Sequence, residues 1–152
     1  MEGKDLNIEI RFIGIEIISK NMVERPESLT PIVTYNFDIK VQTKVISDQK
    51  LLVPHVTVKI NELNTSQKLA EIKVACLFNI KNFNDVIKRN EESDVYHIPK
   101  ELELIIRPVA ISTTRGIIYS EFRGTYLANA IMPIVFMDTM KEEKVDNKNS
   151  PS

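Results

Sequence analysis

A chain of 152 residues, with 43% hydrophobic and 27% charged side chains, is long enough for one domain that buries a sizeable core. That composition excludes a disordered, collagen-like or disulfide-stapled protein. Lys and Arg number 20 against 21 Asp and Glu, and a net charge of −1 does not suit a general nucleic-acid binder, whose affinity comes from a basic surface. The lone cysteine, Cys76, can neither close an intramolecular disulfide nor supply a thiolate zinc cage. No apolar h-region stands behind Met1 to Asp5 and no long apolar run follows. The expectation is a soluble cytoplasmic chain with neither signal peptide nor membrane insertion.

The first eighty residues predict four antiparallel strands, at about 8–20, 32–46, 50–62 and 67–80. In the first, Ile8, Ile10 and Phe12 point one way and Ile13, Ile15 and Ile17 the other. Such a one-residue slip is the trace of a β-bulge. The second alternates from Val33 through Tyr35, Phe37, Ile39, Val41 and Thr43 to Val45, the period of a strand wet on one face. Val56 to Ile60 and the alternation of Ile72, Val74, Cys76, Phe78 and Ile80 mark the third and fourth. On the fourth, Leu69 and Leu77 fall in the wet phase of Glu71 and Lys73. Ser47-Asp48-Gln49 and Asn64-Thr65-Ser66 supply turn chemistry.

From Asn82 to Lys100 the period stops, and a connection of that length is uncommon without a function. Leu104, Ile111, Ile118 and Phe122 then share one helical stripe, with Pro108 as a kink or first-turn residue. The middle of this helix is small (Ala110, Ser112, Thr113, Thr114, Gly116), although interior Gly costs about 1 kcal/mol relative to Ala. The small residues predict packing against a partner helix, across a subunit interface. Gly124 ends the helix, and a short second one is expected at about 128–140. Residues 1–140 thus form a single domain, and the tail 141–152 is expected to be disordered.

Little points to catalysis or a metal. Cys76 shares the core-facing phase, His55 and His97 belong to no ligand spacing, and four glycines make no phosphate loop. Neither an enzyme, nor a cofactor, nor a metal site is expected. Apolar residues in wet places carry more information. Val86, Ile87, Val95, Tyr96 and Ile98 lie among charges, and the last segment, with Met132, Met137 and Met140, is apolar nearly all round. The surplus implies an oligomer interface, a groove for extended clients, or both.

Arg123-Gly124-Thr125-Tyr126, followed by Ile131, Pro133 and Phe136, resembles the stretch joining the two helices of the SecB family of bacterial protein-export chaperones. Leu77-Phe78-Asn79-Ile80 is similar to the end of that family's fourth strand, and Thr114 to Ile118 to its long helix. The resemblance covers about residues 8–140. It implies an α+β fold in which a four-stranded antiparallel sheet is followed by a crossover, a long helix and a short C-terminal helix. It also implies a homotetramer, a dimer of dimers with the long helices at the interface (here Ile111, Thr114, Arg115, Ile118 and Phe122). Such a protein is an ATP-independent holdase that keeps precursors unfolded and delivers them to the SecA motor ATPase. Client contacts are placed at Val86, Ile87, Val95, Tyr96, Ile98, Tyr126, Leu127, Ile131, Ile134, Phe136, Met137 and Met140. The family's motor-binding surface falls on Glu16, Leu69 and Glu71.

Lys20 departs from that pattern, standing where the family favours an acid, and the chain lacks the family's clear acidity. A basic docking element would be drawn less strongly. A narrower reading follows: a SecB-like chaperone dedicated to one client, such as the antitoxin of a toxin–antitoxin module. A reading of another class is a β-sheet binder of a small ligand or lipid, its surplus apolar residues lining a closed pocket.

Overall fold

A computed structural model describes residues 7–29 and 33–135. The expected tail, 141–152, and Phe136, Met137 and Met140 lie outside the described residues.

Four strands, β1 (Ile10–Met22), β2 (Tyr35–Ile46), β3 (Leu51–Glu62) and β4 (Lys68–Ile80), form one antiparallel sheet in the order β1-β4-β3-β2. Hairpins join β2 to β3 and β3 to β4. The long first connection carries the chain from one edge of the sheet to the other, a Greek-key route. The core face of the sheet is built by Leu52, Val56, Val58 and Ile60 of β3 and Ile72, Val74, Cys76, Phe78 and Ile80 of β4, all buried. These central strands are apolar on the covered face, whereas edge strand β2 keeps the strict alternation. Tyr35, Phe37 and Ile39 are only partly covered.

The register holds three irregularities. One, between Phe12 and Gly14, makes Ile13 the extra residue where the phase slips. A second, between Ile17 and Ser19, leaves Ile18 unpaired. The third lies where Ile60 pairs with Ala70 but Asn61 pairs with Lys68, so Leu69 is skipped. A bulge turns its residue out of the alternating phase, and Leu69 is fully buried in the main core rather than on the wet face. Leu77 does lie on the open face, where it packs on the small cluster of Leu51, Val53 and Ala75.

The β3–β4 hairpin closes on Glu62. Its carboxylate accepts from the Thr65 hydroxyl at 2.5 Å, the Thr65 N–H at 2.6 Å and the Asn64 N–H at 3.1 Å. These bonds, the Thr65 side chain's first, hold its pKa below the ordinary glutamate value. A depressed carboxylate stabilises the fold above its unfolded pKa, and that contribution disappears as pH falls through the folded value. Glu62→Gln should therefore lower the melting temperature at pH 7. The gap to the parent should shrink steadily as pH falls below the ordinary glutamate range, as thermal melts across pH would show.

The crossover, where the period stops in the sequence, carries elements of its own. A single turn, α1 (Phe83–Val86), plugs Phe83, Val86 and Ile87 into the core. A two-stranded hairpin follows, β5 (Lys88–Asn90) and β6 (Val95–His97), with Arg89 and Asp94 forming an ion pair across its turn.

Helix α2 (Lys100–Glu121) packs chiefly on β3 and β4. Pro108 is interior to it rather than in the first turn, and it removes one i→i−4 donor. Gly124, at φ +77°, takes the left-handed conformation that stops helices. The fold class is the expected α+β arrangement, with one difference in its last part. Residues 126–129 form turns and 130–135 are irregular, so the described part of the expected short C-terminal helix is not helical. Pro133 lacks the donor a helix needs, and Leu127, Ala130 and Met132 bury against the core from a turned chain instead. No helix among the described residues is long and apolar enough to cross a membrane.

Candidate functional site

Helix α2 is apolar on two arcs. Leu102, Ile106, Ala110, Ile111, Thr114 and Ile118 are buried on the arc facing the sheet, and Phe122 is buried at the helix end. Thr114 satisfies its hydroxyl internally by donating to the Ala110 carbonyl at 2.8 Å. Ile111, Thr114, Ile118 and Phe122, expected at a subunit interface, thus serve the subunit's own core. Arg115, from the same expectation, donates from Nε to the Met132 carbonyl and from its guanidinium to the Pro133 carbonyl at 3.1 and 3.0 Å. It ties the distal segment to the helix. The outward arc carries Ile105, Val109, Ser112, Gly116 and Tyr119, all exposed. Their spacing of four, three, four and three residues is that of a helix–helix seam. A Cβ built on Gly116 meets nothing within 4 Å, so the subunit's own packing does not require glycine there.

Strand β1 is the second apolar element. Phe12, Ile15, Ile17 and Met22 pair with the core residues Phe78, Cys76, Val74 and Ala70, and so share their face of the sheet. Helix α2 is centred on β3 and β4, and all four side chains remain exposed beyond it, together with Ile13, Ile18 and Val23. Phe12 stacks on Phe78 with centroids 4.7 Å apart. The outer edge of β1 has no neighbouring strand among the described residues. An ion pair between Lys20 and Glu121, at 2.8 Å, spans β1 and the end of α2.

Further exposed apolar residues lie on the β5–β6 hairpin and on the distal segment. Of the expected client contacts, Val86, Ile87, Ile98 and Leu127 are buried in the subunit core, so those four side chains are structural supports. Tyr96 and Tyr126 are partly covered, and Val95, Ile131 (64% exposed) and Ile134 (76%) face outward. A tyrosine clasp positions this region. Tyr35 donates to the Tyr126 carbonyl at 3.2 Å, and Tyr126 donates to the Val23 carbonyl at 2.7 Å. Burial pushes both phenol pKa values up, which keeps the hydroxyls as donors.

The expected motor-contact set is divided. Glu16 and Glu71 lie on the open face of the sheet, opposite α2, while Leu69 is inside the core. Glu71 is paired with Lys68 and lies opposite Lys59 in register, and these cations hold its pKa down, the Lys68 bond first.

The reactive side chains are spread apart. Burial pushes the Cys76 thiol to about 11, which leaves almost no thiolate at neutral pH. His55, half-buried on the open face, donates through Nδ1 to the Val53 carbonyl at 3.0 Å, and desolvation lowers its pKa. His97 sits on β6. A cleft of about 280 Å³ at the start of β1 is lined by Glu9, Ile10, Arg11, Asn79 and Lys81, a largely charged wall that does not suit a lipid.

No family model matches the sequence, and no curated relative matches it. Among solved structures, the chain is similar to a Mycobacterium tuberculosis SecB-like chaperone in complex with a ChAD peptide from the HigA1 antitoxin. The match has 13% identity and a TM-score of 0.48, and it covers 84% of this chain and 85% of that one.

Proposed function

We propose that this chain is an ATP-independent holdase of the SecB type, which assembles from several copies and binds non-native polypeptides. One observation carries the reading: three separate elements hold large apolar side chains in the open. They are the outer arc of α2, the face of β1 beyond the helix, and the Val95, Ile131 and Ile134 surface. Monomeric soluble proteins rarely leave large apolar patches open, and on β1 alone Phe12, Ile13, Ile15, Ile17, Ile18 and Met22 are all exposed. The outer arc of α2 and the edge of β1 are regular elements with free faces, suited to identical copies, up to the expected dimer of dimers. The Val95, Tyr96, Tyr126, Ile131 and Ile134 surface is irregular, as suits sequence-tolerant contacts with extended chains. Phe136, Met137 and Met140 continue the sequence beyond it.

Changing Ile131 and Ile134 together to serine tests this division. The native mass should stay that of the parent assembly, while suppression of aggregation of a chemically denatured enzyme should fall several-fold. A parent protein that is monomeric at micromolar concentration and indifferent to denatured chains would refute the reading.

Dedication to one client, rather than delivery of many precursors to the SecA motor, is the finer reading we favour. Leu69 is buried, Lys20 lies on the α2 side of the sheet with Glu121, and Lys59 and Lys68 flank Glu71, so the acidic and apolar docking set is not gathered on one face. Isolation of the native cytoplasmic complex separates the two: one small partner such as an antitoxin, or a mixture of unfolded precursors with the motor.

A further inference from the structure

The open face of the sheet, opposite α2, carries a group of lysines interspersed with fewer acids. Its residues follow from the register: Asp38, Lys40, Gln42, Lys44 and Ile46 on β2 stand opposite Lys59, Thr57, His55, Val53 and Leu51 on β3. Three of these rows continue onto β4, where Thr57 stands beside Lys73, His55 beside Ala75 and Leu51 beside Asn79, with Glu71 beside Lys59. Lys59 thus lies between two acids, Asp38 and Glu71, and is locally balanced. Lys73 stands two residues from Glu71 on β4 and favours its ionised form, and Lys40 stands two residues from Asp38 on β2, so these two are partly compensated and Lys44 is not. None of the three is in an ion pair among the described residues, and Glu16, beside Ala75, is the nearby acid on β1.

Lys40 and Lys73 flank Thr57 from the two neighbouring strands, about 10 Å apart at the usual strand spacing, and Lys44 lies about 13 Å along β2 from Lys40. The three lysines therefore frame a patch with His55 at its centre, and because these backbone spacings exceed the Debye length of physiological salt, about 8 Å, each acts on a nearby carboxylate separately. Besides desolvation, the main cause of its lowered pKa, the His55 ring is disfavoured in its charged form by Lys44 and Lys73 and favoured in it by Glu16, so it lies within reach of all three. One end of the patch is apolar, with exposed Ile46 and half-covered Leu77 over the Leu51, Val53 and Ala75 cluster.

We infer that this face docks an acidic polypeptide segment carrying interspersed apolar residues, a partner separate from the apolar clients on the other side of the sheet. Carboxylates at strand-like spacing match the three lysines, and leucine-like side chains match the Ile46 and Leu77 end. The partner's charge is opposite to what a docking surface built on Glu16 and Glu71 would take. A net charge of −1 for the whole chain favours a local peptide contact over a long polyanion.

The test uses the full chain and a fluorescent peptide of four Glu-Asp-Leu-Ser repeats, with a matched peptide holding Gln and Asn in place of the acids. The acidic peptide should bind, lose affinity as salt rises from 50 to 300 mM, and shift the ring resonances of His55 while leaving those of His97 in place. K40E/K44E/K73E should lose at least tenfold in affinity while keeping the parent's native mass and its suppression of aggregation. K40Q/K44Q/K73Q, which only neutralises the patch, covers the case in which charge reversal disturbs folding, and should lose several-fold. The inference is overturned by equal binding of the neutral peptide, by unchanged affinity of a folded lysine variant, or by no binding at all. A DNA duplex or phosphatidylglycerol vesicles binding more tightly through the same lysines would also overturn it.

Discussion

Gly116→Leu is expected to leave the subunit folded and to break the assembly. Inside the subunit the position is open, since a Cβ there meets nothing within 4 Å. Leucine also forms helix better than glycine, by about 0.8 kcal/mol, so the isolated subunit loses nothing and gains some helix stability. On a neighbouring copy the effect is opposite. A seam of Ile105, Val109, Ser112, Gly116 and Tyr119 with small residues at its centre lets two helix axes approach toward the close end of the usual 8–10 Å range. A leucine in that gap holds the axes apart along the whole contact. Native mass measurement at micromolar concentration should show the parent as a multiple of the 17.4 kDa chain and the variant largely dissociated, with the helical signal retained. An unchanged mass would move the interface away from this arc.

Phe122→Ala should have the largest effect on the fold itself. Phe122 is fully buried where α2 ends, at the junction of the helix, the turn at Gly124 and the distal segment. Its carbonyl accepts from both the Thr125 N–H, at 3.2 Å, and the Thr125 hydroxyl, at 2.7 Å. Truncation of a buried phenylalanine costs about 3–5 kcal/mol through lost transfer energy and the cavity left behind. Against a domain stability of about 5–15 kcal/mol, urea unfolding should show a midpoint far below the parent's. A loss under 1 kcal/mol would mean that the site collapses freely around the gap.

Much of the sheet was legible because it obeys period two. Edge strand β2, covered on one face only, advertises its facing residue by residue, and the slip at Ile13 marks the first bulge. Two features were hidden for identifiable reasons. At Ile17-Ile18 the extra residue is as apolar as its neighbours, so no change of phase marks it. At Leu69 the bulge reverses the facing of a residue whose neighbours, Ala70 and Lys68, give no second signal. The helix posed another difficulty, because the arc that meets the subunit's own sheet and the arc left exposed are both apolar. Ile111, Ile118 and Phe122 could therefore be found as important but not assigned to the right contact. Gly116 and Ser112 were the better signal, since a helix packed on a sheet has no need of them on its far side. In the distal segment, apolar residues at nearly every position imitated a helix, yet Pro133 and the turn through Thr125 commit the chain to another path.

The interruptions at Ile13 and Ile18 have a consequence for solubility. They divide β1 into ladder-forming runs of three, four and four residues, Ile10–Phe12, Gly14–Ile17 and Ser19–Met22. Steric-zipper stacking of cross-β fibrils needs flat stretches of about six or seven. A strand this rich in isoleucine, left at a sheet edge, would otherwise be a seed for amyloid. Kinked twice, it is a poor template for that stacking although its apolar side chains stay exposed.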